Sequence, residues 1–346
     1  MSTLKNSLPW TSTPLIVNAP MAGFAGGALA SAVTIEGGLG MIGGLFNLDD
    51  ARKELLIAKE AFAPHPALSS SKTLPIGIGF LPFVLKLENV LSVIQEFRPA
   101  VVWLFAAKEF DDYTEWAVAV RKASPESMVW IQVGSVAGAL QIARTANPDA
   151  LCMQGADAGG HGFEKGAGII SLVPEASDAL AREGFSLPLI ASGGIVDGRG
   201  VAAALTLGAQ GVVMGTRFLA SEEVIVHPKY QAAVLEAQDG GQVTTRSRLF
   251  DQLRGPNPWP ELYDGRSLVI KSHKDFVNGV SLEEIQKLHN EEVVGDLKGF
   301  NTGLQGRAAI WAGTGVGLVN KVEGAGNIVK MVSSEARQIL ATAARL

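Results

Sequence analysis

From Leu15 to Gly215 the chain alternates short apolar runs with longer stretches in which apolar residues recur at every third or fourth position. That alternation is the rhythm of a parallel sheet whose strands are joined by covering helices. The apolar runs predict strands at Leu15 to Ala19, Gly40 to Gly43, Leu74 to Phe80, Ala100 to Phe105, Val129 to Val133, Ala150 to Met153, Leu187 to Ala191 and Gly211 to Met214. The amphipathic stretches predict helices at Gly27 to Glu36, Asp49 to Phe62, Glu88 to Glu96, Asp112 to Ala123, Val136 to Thr145, Leu172 to Arg182 and Gly198 to Leu207. Asp49 and Asp50 offer an N-cap for the second helix and Ser135 one for the fifth, since a side-chain oxygen there can accept from an amide of the first turn. An open doubly wound sheet would show the same alternation, but eight strands favour a closed TIM (β/α)8 barrel.

After Phe218 the rhythm stops. The stretch from Ser221 to Gly299 mixes helix-like and loop-like segments with Arg254-Gly255-Pro256-Asn257-Pro258-Trp259-Pro260, which predicts a smaller, mostly helical inserted lid region. From Gln305 onward glycine-rich turns lead into a helix from Asn327 to about Ala344. The expected division is an α/β barrel over 1–223, a lid over 224–304, and a return segment with a helix closing on the barrel over 305–346. A length of 346 residues accommodates this, because a barrel needs ~250.

Composition narrows the function classes. Hydrophobic residues at 47%, charged residues at 18% and 40 glycines describe a globular α/β chain rich in tight turns. A net charge of -5 without a basic run argues against nucleic acid as a partner, because phosphate-backbone binding needs clustered Lys and Arg. Cys152 is the only cysteine, so neither an intramolecular disulfide nor a cysteine-based metal cluster can form within the chain. Its place inside an apolar strand predicts an inert core thiol. The segment from Met1 to Trp10 lacks the apolar core of a signal peptide, and no apolar run reaches the ~18 residues of a membrane span. A cytoplasmic protein with no membrane partner is expected. The final Ala344-Arg345-Leu346 resembles a peroxisomal tripeptide only loosely.

The glycines concentrate just after the strands, where barrel enzymes place their sites. Strand one runs into Ala19-Pro20-Met21-Ala22-Gly23-Phe24, strand three ends on Gly77-Ile78-Gly79-Phe80, and strand six runs into Gln154-Gly155-Ala156-Asp157-Ala158-Gly159-Gly160-His161-Gly162. Strands seven and eight give Ser192-Gly193-Gly194 and Gly215-Thr216-Arg217-Phe218. Paired glycines let backbone amides approach an anion, and a following helix start adds favourable charge, so the last two loops predict a phosphate site. The chain has no P-loop and no dinucleotide fingerprint, which favours a mononucleotide-type ligand. Met21, Phe24 and Phe80 could pack on a planar ring or serve the core.

Among five histidines, His161 stands apart: two glycines past a strand end, it is expected on a loop over the barrel mouth, where imidazole can move a proton. His65, His227, His273 and His289 lie in irregular stretches and are expected to be structural or solvated. Asp157 either orients His161 or caps the loop. No paired-ligand spacing suggests a metal, and Ser192 lacks the nucleophile-elbow context of a hydrolase.

Taken together, Ala19-Pro20-Met21-Ala22-Gly23, Gly37-Gly38-Leu39-Gly40, Ala158-Gly159-Gly160-His161-Gly162, Ile190-Ala191-Ser192-Gly193-Gly194-Ile195 and Met214-Gly215-Thr216-Arg217-Phe218 make this chain resemble the nitronate monooxygenase family over roughly residues 14–223. The resemblance implies tightly bound FMN, with its phosphate at Gly193, Gly194, Gly215 and Thr216 and its ring near Met21, Ala22, Gly23 and Gly160. It also takes in Gly79, Gln132, Gly159 and Ser192 as cofactor-binding positions, and His161 as the catalytic histidine. The implied reaction is oxidation of a nitronate or nitroalkane by dioxygen to a carbonyl compound and nitrite. An NAD(P)H-dependent flavin reductase acting on a quinone or enoyl thioester would use similar loops. Where relatives commonly place Lys or His after the fifth strand, this chain has Gln132, an uncharged hydrogen-bonding group.

Overall fold

The computed structural model describes residues 3–44 and 47–345. Before Gly215 the chain forms strands Leu15–Asn18 (β1), Met41–Gly43 (β2), Leu74–Phe80 (β3), Pro99–Leu104 (β4), Met128–Val133 (β5), Ala150–Gln154 (β6), Gly160–Phe163 (β7), Leu189–Ser192 (β8) and Gly211–Met214 (β9). All of these except β7 pair in parallel in the order β1-β9-β8-β6-β5-β4-β3-β2. Parallel bridges from Val17 to Leu39 and from Ala22 to Gly43 bring the two ends together, so the sheet is a TIM barrel. The strands are buried on both faces, as the continuous Val, Ile and Leu runs require, and Trp103 and Trp130 fill the interior with ring centroids 6.2 Å apart.

Helices between the strands follow the amphipathic stretches, with boundaries moved by a few residues: Leu48–Ala61 for the second, Ile169–Arg182 for the sixth, Gly198–Thr206 for the seventh. The second helix takes its cap from Asn47, whose side chain accepts from the Asp49 amide, rather than from Asp49 or Asp50. Ser135 caps the fifth as expected, its Oγ accepting from the Gly138 amide at 3.1 Å. Ser135→Ala should cost ~1 kcal/mol of unfolding free energy, read as a lower urea midpoint with an unchanged slope.

Beyond the barrel, several helices are joined by two further strands, Thr244–Ser247 (β10) and Tyr263–Leu268 (β11). These pair antiparallel with each other and with β7, giving a second small sheet in the order β10-β11-β7. A separate apolar core lies beneath it, built on Tyr230, Phe250, Ile285 and Ile310. Helix Ala325–Ala343 returns to pack on the helices Gly198–Thr206 and Gly27–Ile35. A buried ion pair between Arg217 and Glu323 ties the return segment to the mouth of the barrel, and Arg217 also donates to the Lys321 carbonyl at 3.3 Å. Burial pushes the Arg217 guanidinium below its ordinary value, with Glu323 opposing that shift. No helix among the described residues is long and apolar enough to cross a membrane.

Candidate active site

A cavity of about 700 Å³ opens at the carboxyl ends of the barrel strands, beneath the second sheet. Most of the residues singled out from the sequence line it: Met21, Ala22, Gln132, Gly159, Gly160, His161, Ser192, Gly193, Gly194, Gly215 and Thr216. Gly23 and Gly79 do not. Gly23 serves the turn in which Phe24 and Ala25 donate to the Met21 carbonyl, at a φ of 78°. Gly79 lies within β3, where a Cβ would come within 2.7 Å of the Pro20 ring, so it permits the β1 loop to cross the strand. Phe80 is a core residue at 1% exposure, whereas Met21 and Phe24 face the cavity.

The two glycine loops form one end of the cavity. Gly193 and Gly194 hold φ angles of 109° and 73°, a region that L side chains enter only with strain. A Cβ on Gly193 would sit 2.8 Å from the Gly155 carbonyl oxygen. Among the described residues, the amides of Gly194, Gly215 and Thr216 donate to no protein acceptor. The start of helix Gly198–Thr206 contributes less than expected. Its first amides are already satisfied by carboxylates, Asp197 Oδ1 accepting from Arg199 and Gly200, and Glu335 Oε2 accepting from Gly198 at 2.8 Å. The free loop amides are the donors that remain for an anion.

His161 also lines the cavity, on β7 rather than on a loop. It lies across from Gly265 of β11, and the absence of a side chain at Gly265 admits the Trp311 ring, whose centroid is 4.8 Å from the imidazole. Trp259 stacks on the imidazole at 3.7 Å and 8°. His161 Nε2 is 2.6 Å from Asp251 Oδ1, and the Asp251 side chain is only 6% exposed. Gln154 Nε2 donates to the His161 carbonyl at 3.0 Å, which anchors the backbone below the ring.

Asp157 does not orient the histidine. Its carboxylate accepts from Thr314 Oγ1 at 3.1 Å and its carbonyl from the Thr314 amide at 3.0 Å, so it holds the glycine-rich return loop against the barrel. Gly313 and Gly315 of that loop line the cavity, and Gly159 is glycine because a Cβ would collide with the Ala312 backbone. Asp251 was missed by sequence reasoning, as were Trp259 and Trp311 as neighbours of the imidazole. They lie 90, 98 and 150 positions from His161, and no local pattern links them.

Gln132 is fixed by Trp103, whose indole Nε1 donates to Gln132 Oε1 at 3.1 Å. Indole only donates, so the amide nitrogen is the end of Gln132 left for the cavity. Cys152 is fully buried, and loss of solvation pushes its thiol well above the ordinary value. It is the inert thiol expected. Of the remaining histidines, His227 caps a helix by accepting from the Lys229 amide, and His289 also lines the cavity wall.

The sequence matches the family model described as nitronate monooxygenase over residues 86–258. It is 44% identical to the nitronate monooxygenase npaC of Metarhizium robertsii, covering 97% of this chain and 95% of that protein. This chain belongs to the nitronate monooxygenase family. A second member, the nitronate monooxygenase of Neurospora crassa, is 35% identical over 98% of this chain and 93% of its own length. Among solved structures, FabK from Thermotoga maritima superposes with a TM-score of 0.74 at 26% identity, covering 99% of this chain and 98% of that one. Nitronate monooxygenases form an oxidoreductase family, and the activity of this chain is of that kind.

Within this family member, burial lowers the His273 and His289 imidazoles below their ordinary value. For a base, a folded-state value below the unfolded one means that the unfolded chain binds more protons, so stability rises with pH. The contribution is fully present above about pH 6.5 and is lost as pH falls below it. Thermal melts should therefore show a drop in Tm on acidification through that range, and His289→Gln should make the drop smaller.

Proposed function

We propose that this protein is an FMN-dependent enzyme that uses dioxygen to oxidise nitronates and nitroalkanes to carbonyl compounds and nitrite. The observation that carries this reading is the meeting of His161 and the two glycine loops in one cavity. The residues present fit the cofactor. Three unpaired amides stand at Gly194, Gly215 and Thr216, and Thr216 Oγ1, which accepts from the Gly313 amide at 3.0 Å, keeps its own proton to donate. Gly215 would tolerate a Cβ at ordinary contact distances, so its lack of a side chain answers no demand of the protein and suits a phosphate drawn close. Met21 and Ala22 offer an apolar wall, and the Gln132 amide nitrogen offers a donor to a polar ring edge. A cavity of about 700 Å³ has room for the ring and a small substrate.

Bound there, FMN supplies one-electron and oxygen chemistry. The protein supplies position, shielding and proton transfer. His161 removes the proton from the carbon beside the nitro group of a neutral nitroalkane, or, in its charged form, pairs with the nitronate anion. Trp259 and Trp311 cover the imidazole and keep water from its faces. Gln132 presents a neutral donor where a cation would stabilise reduced flavin more strongly.

A visible spectrum of the purified protein with absorbance near ~450 nm is the first expected result. Anaerobic addition of a nitronate should then abolish that absorbance, and oxygen should restore it with release of nitrite. Loss of absorbance with NADH or NADPH, without oxygen uptake on nitronates, would instead point to a reductase of quinones or enoyl thioesters.

A further inference from the structure

We propose that Asp251 is the positioning residue that selects which nitrogen of His161 faces the substrate. The proposal rests on the reading of His161 as the proton-transfer group. Asp251 comes from the lid helix Leu249–Gln252 and lies nine-tenths buried at the cavity wall. Its carboxylate has one hydrogen-bond partner among the described residues, His161 Nε2 at 2.6 Å, while Oδ2 is buried and unpaired. An ionised carboxylate only accepts, so the proton of the neutral imidazole must sit on Nε2. The lone pair is then on Nδ1, which has no protein partner among the described residues and belongs to a side chain that lines the cavity.

Ring rotation is blocked as well as proton placement. Trp259, eight positions beyond Asp251, stacks on the imidazole face at 3.7 Å, and Trp311 approaches from another side. The lid therefore sets both the orientation and the tautomer of a base that the barrel side carries on β7. A buried carboxylate without a hydrogen-bond donor is costly, and here the Nε2–H of the imidazole is the donor that meets it. That arrangement is useful chiefly when the histidine must start neutral, with a free lone pair toward a C–H bond. For a substrate supplied already as its nitronate there is no carbon proton for that lone pair to take.

The test uses holoenzyme labelled with 15N-histidine, with the His161 ring signals assigned by their loss in His161→Gln. The neutral ring of the wild type, reached by raising the pH until the signals stop moving, should be protonated on Nε2. In Asp251→Asn, whose amide can donate to Nε2, the signature should shift toward Nδ1 protonation. Turnover of a neutral nitroalkane should fall by about 100-fold in kcat with KM within about threefold, and should fall by more than turnover of the pre-formed nitronate. Asp251→Glu, which keeps the carboxylate, should recover part of the nitroalkane rate. A wild-type ring protonated on Nδ1 would overturn the proposal, as would an Asp251→Asn enzyme with unchanged nitroalkane kcat alongside an inactive His161→Gln. If His161→Gln itself turns over nitroalkane normally, the catalytic reading of His161 fails, and the ring spectra of the wild type and Asp251→Asn still decide whether Asp251 sets the tautomer.

Discussion

His161→Asn will lower kcat on a neutral nitroalkane by about 10²- to 10⁴-fold while the visible spectrum of the bound flavin stays in place. The magnitude is that of a lost general base, since asparagine can hydrogen-bond but cannot take the carbon proton. Cofactor retention follows from geometry: the amides expected to hold the phosphate lie on the loops after β8 and β9, the Gln132 donor lies on β5, and Gly160 of β7 offers only backbone, which the substitution leaves in place. Folding should change little. The substitution removes a stacking contact with Trp259, worth about 0.5–1.5 kcal/mol, and leaves Asp251 an amide donor in place of imidazole. The pair of measurements is a flavin-to-protein ratio from absorbance and steady-state nitrite release from nitroethane and from its nitronate. A nitroalkane kcat within threefold of wild type, at full flavin content, would remove His161 from the chemistry.

The barrel was legible in the sequence because its signal is redundant. Each of the eight strands is a short, mostly apolar run, and seven of them lead into a stretch with helical periodicity. Helix caps were less legible: Asn47 outcompetes Asp49 and Asp50 because position, not residue type, decides which oxygen reaches the first free amide. The second sheet was hidden for a different reason. β7 reads Gly-His-Gly-Phe, β10 Thr-Thr-Arg-Ser and β11 Tyr-Asp-Gly-Arg-Ser-Leu, so none shows a clean apolar alternation. Their side chains are spent on ion pairs and site geometry, as with Arg246, which pairs with Asp264 from the neighbouring strand.

The same contrast runs through the site. Glycines at strand ends announce themselves because their position in a barrel carries meaning, although Gly79 and Gly23 show that the rule also collects glycines serving packing and turns. Asp251, Trp259 and Trp311 reach His161 only through the pairing of β7 with β11 and the return of the chain after residue 305. The Arg217 of the Met-Gly-Thr-Arg-Phe segment is a further case, because its partner Glu323 is 106 positions away and its role is to dock the return segment. Residues that position a catalytic group are thus the least legible part of an enzyme sequence when they arrive from another layer of the fold.

Gly193→Ala will release most of the cofactor, lowering the flavin-to-protein ratio after gel filtration at least tenfold, and will also reduce stability. Two costs combine at this residue. Its φ of 109° is nearly closed to alanine, a strain of about 1–3 kcal/mol, and the added Cβ would stand 2.8 Å from the Gly155 carbonyl and 3.1 Å from the Ala158 amide nitrogen. Those neighbours are backbone, so the loop itself must move, carrying the Gly194 amide away from the anion it would hold. A displacement that weakens binding by only about 1.4 kcal/mol already accounts for a tenfold loss of affinity. Gly184→Ala separates the two costs. Gly184 also has a positive φ, 80°, but nothing within 4 Å of a new Cβ, and it lies in the turn before β8 at the far end of the barrel from the cavity. It should lose stability alone and keep its flavin. If Gly193→Ala loses stability to the same extent as Gly184→Ala and retains the full cofactor, the phosphate is not held by the loop after β8.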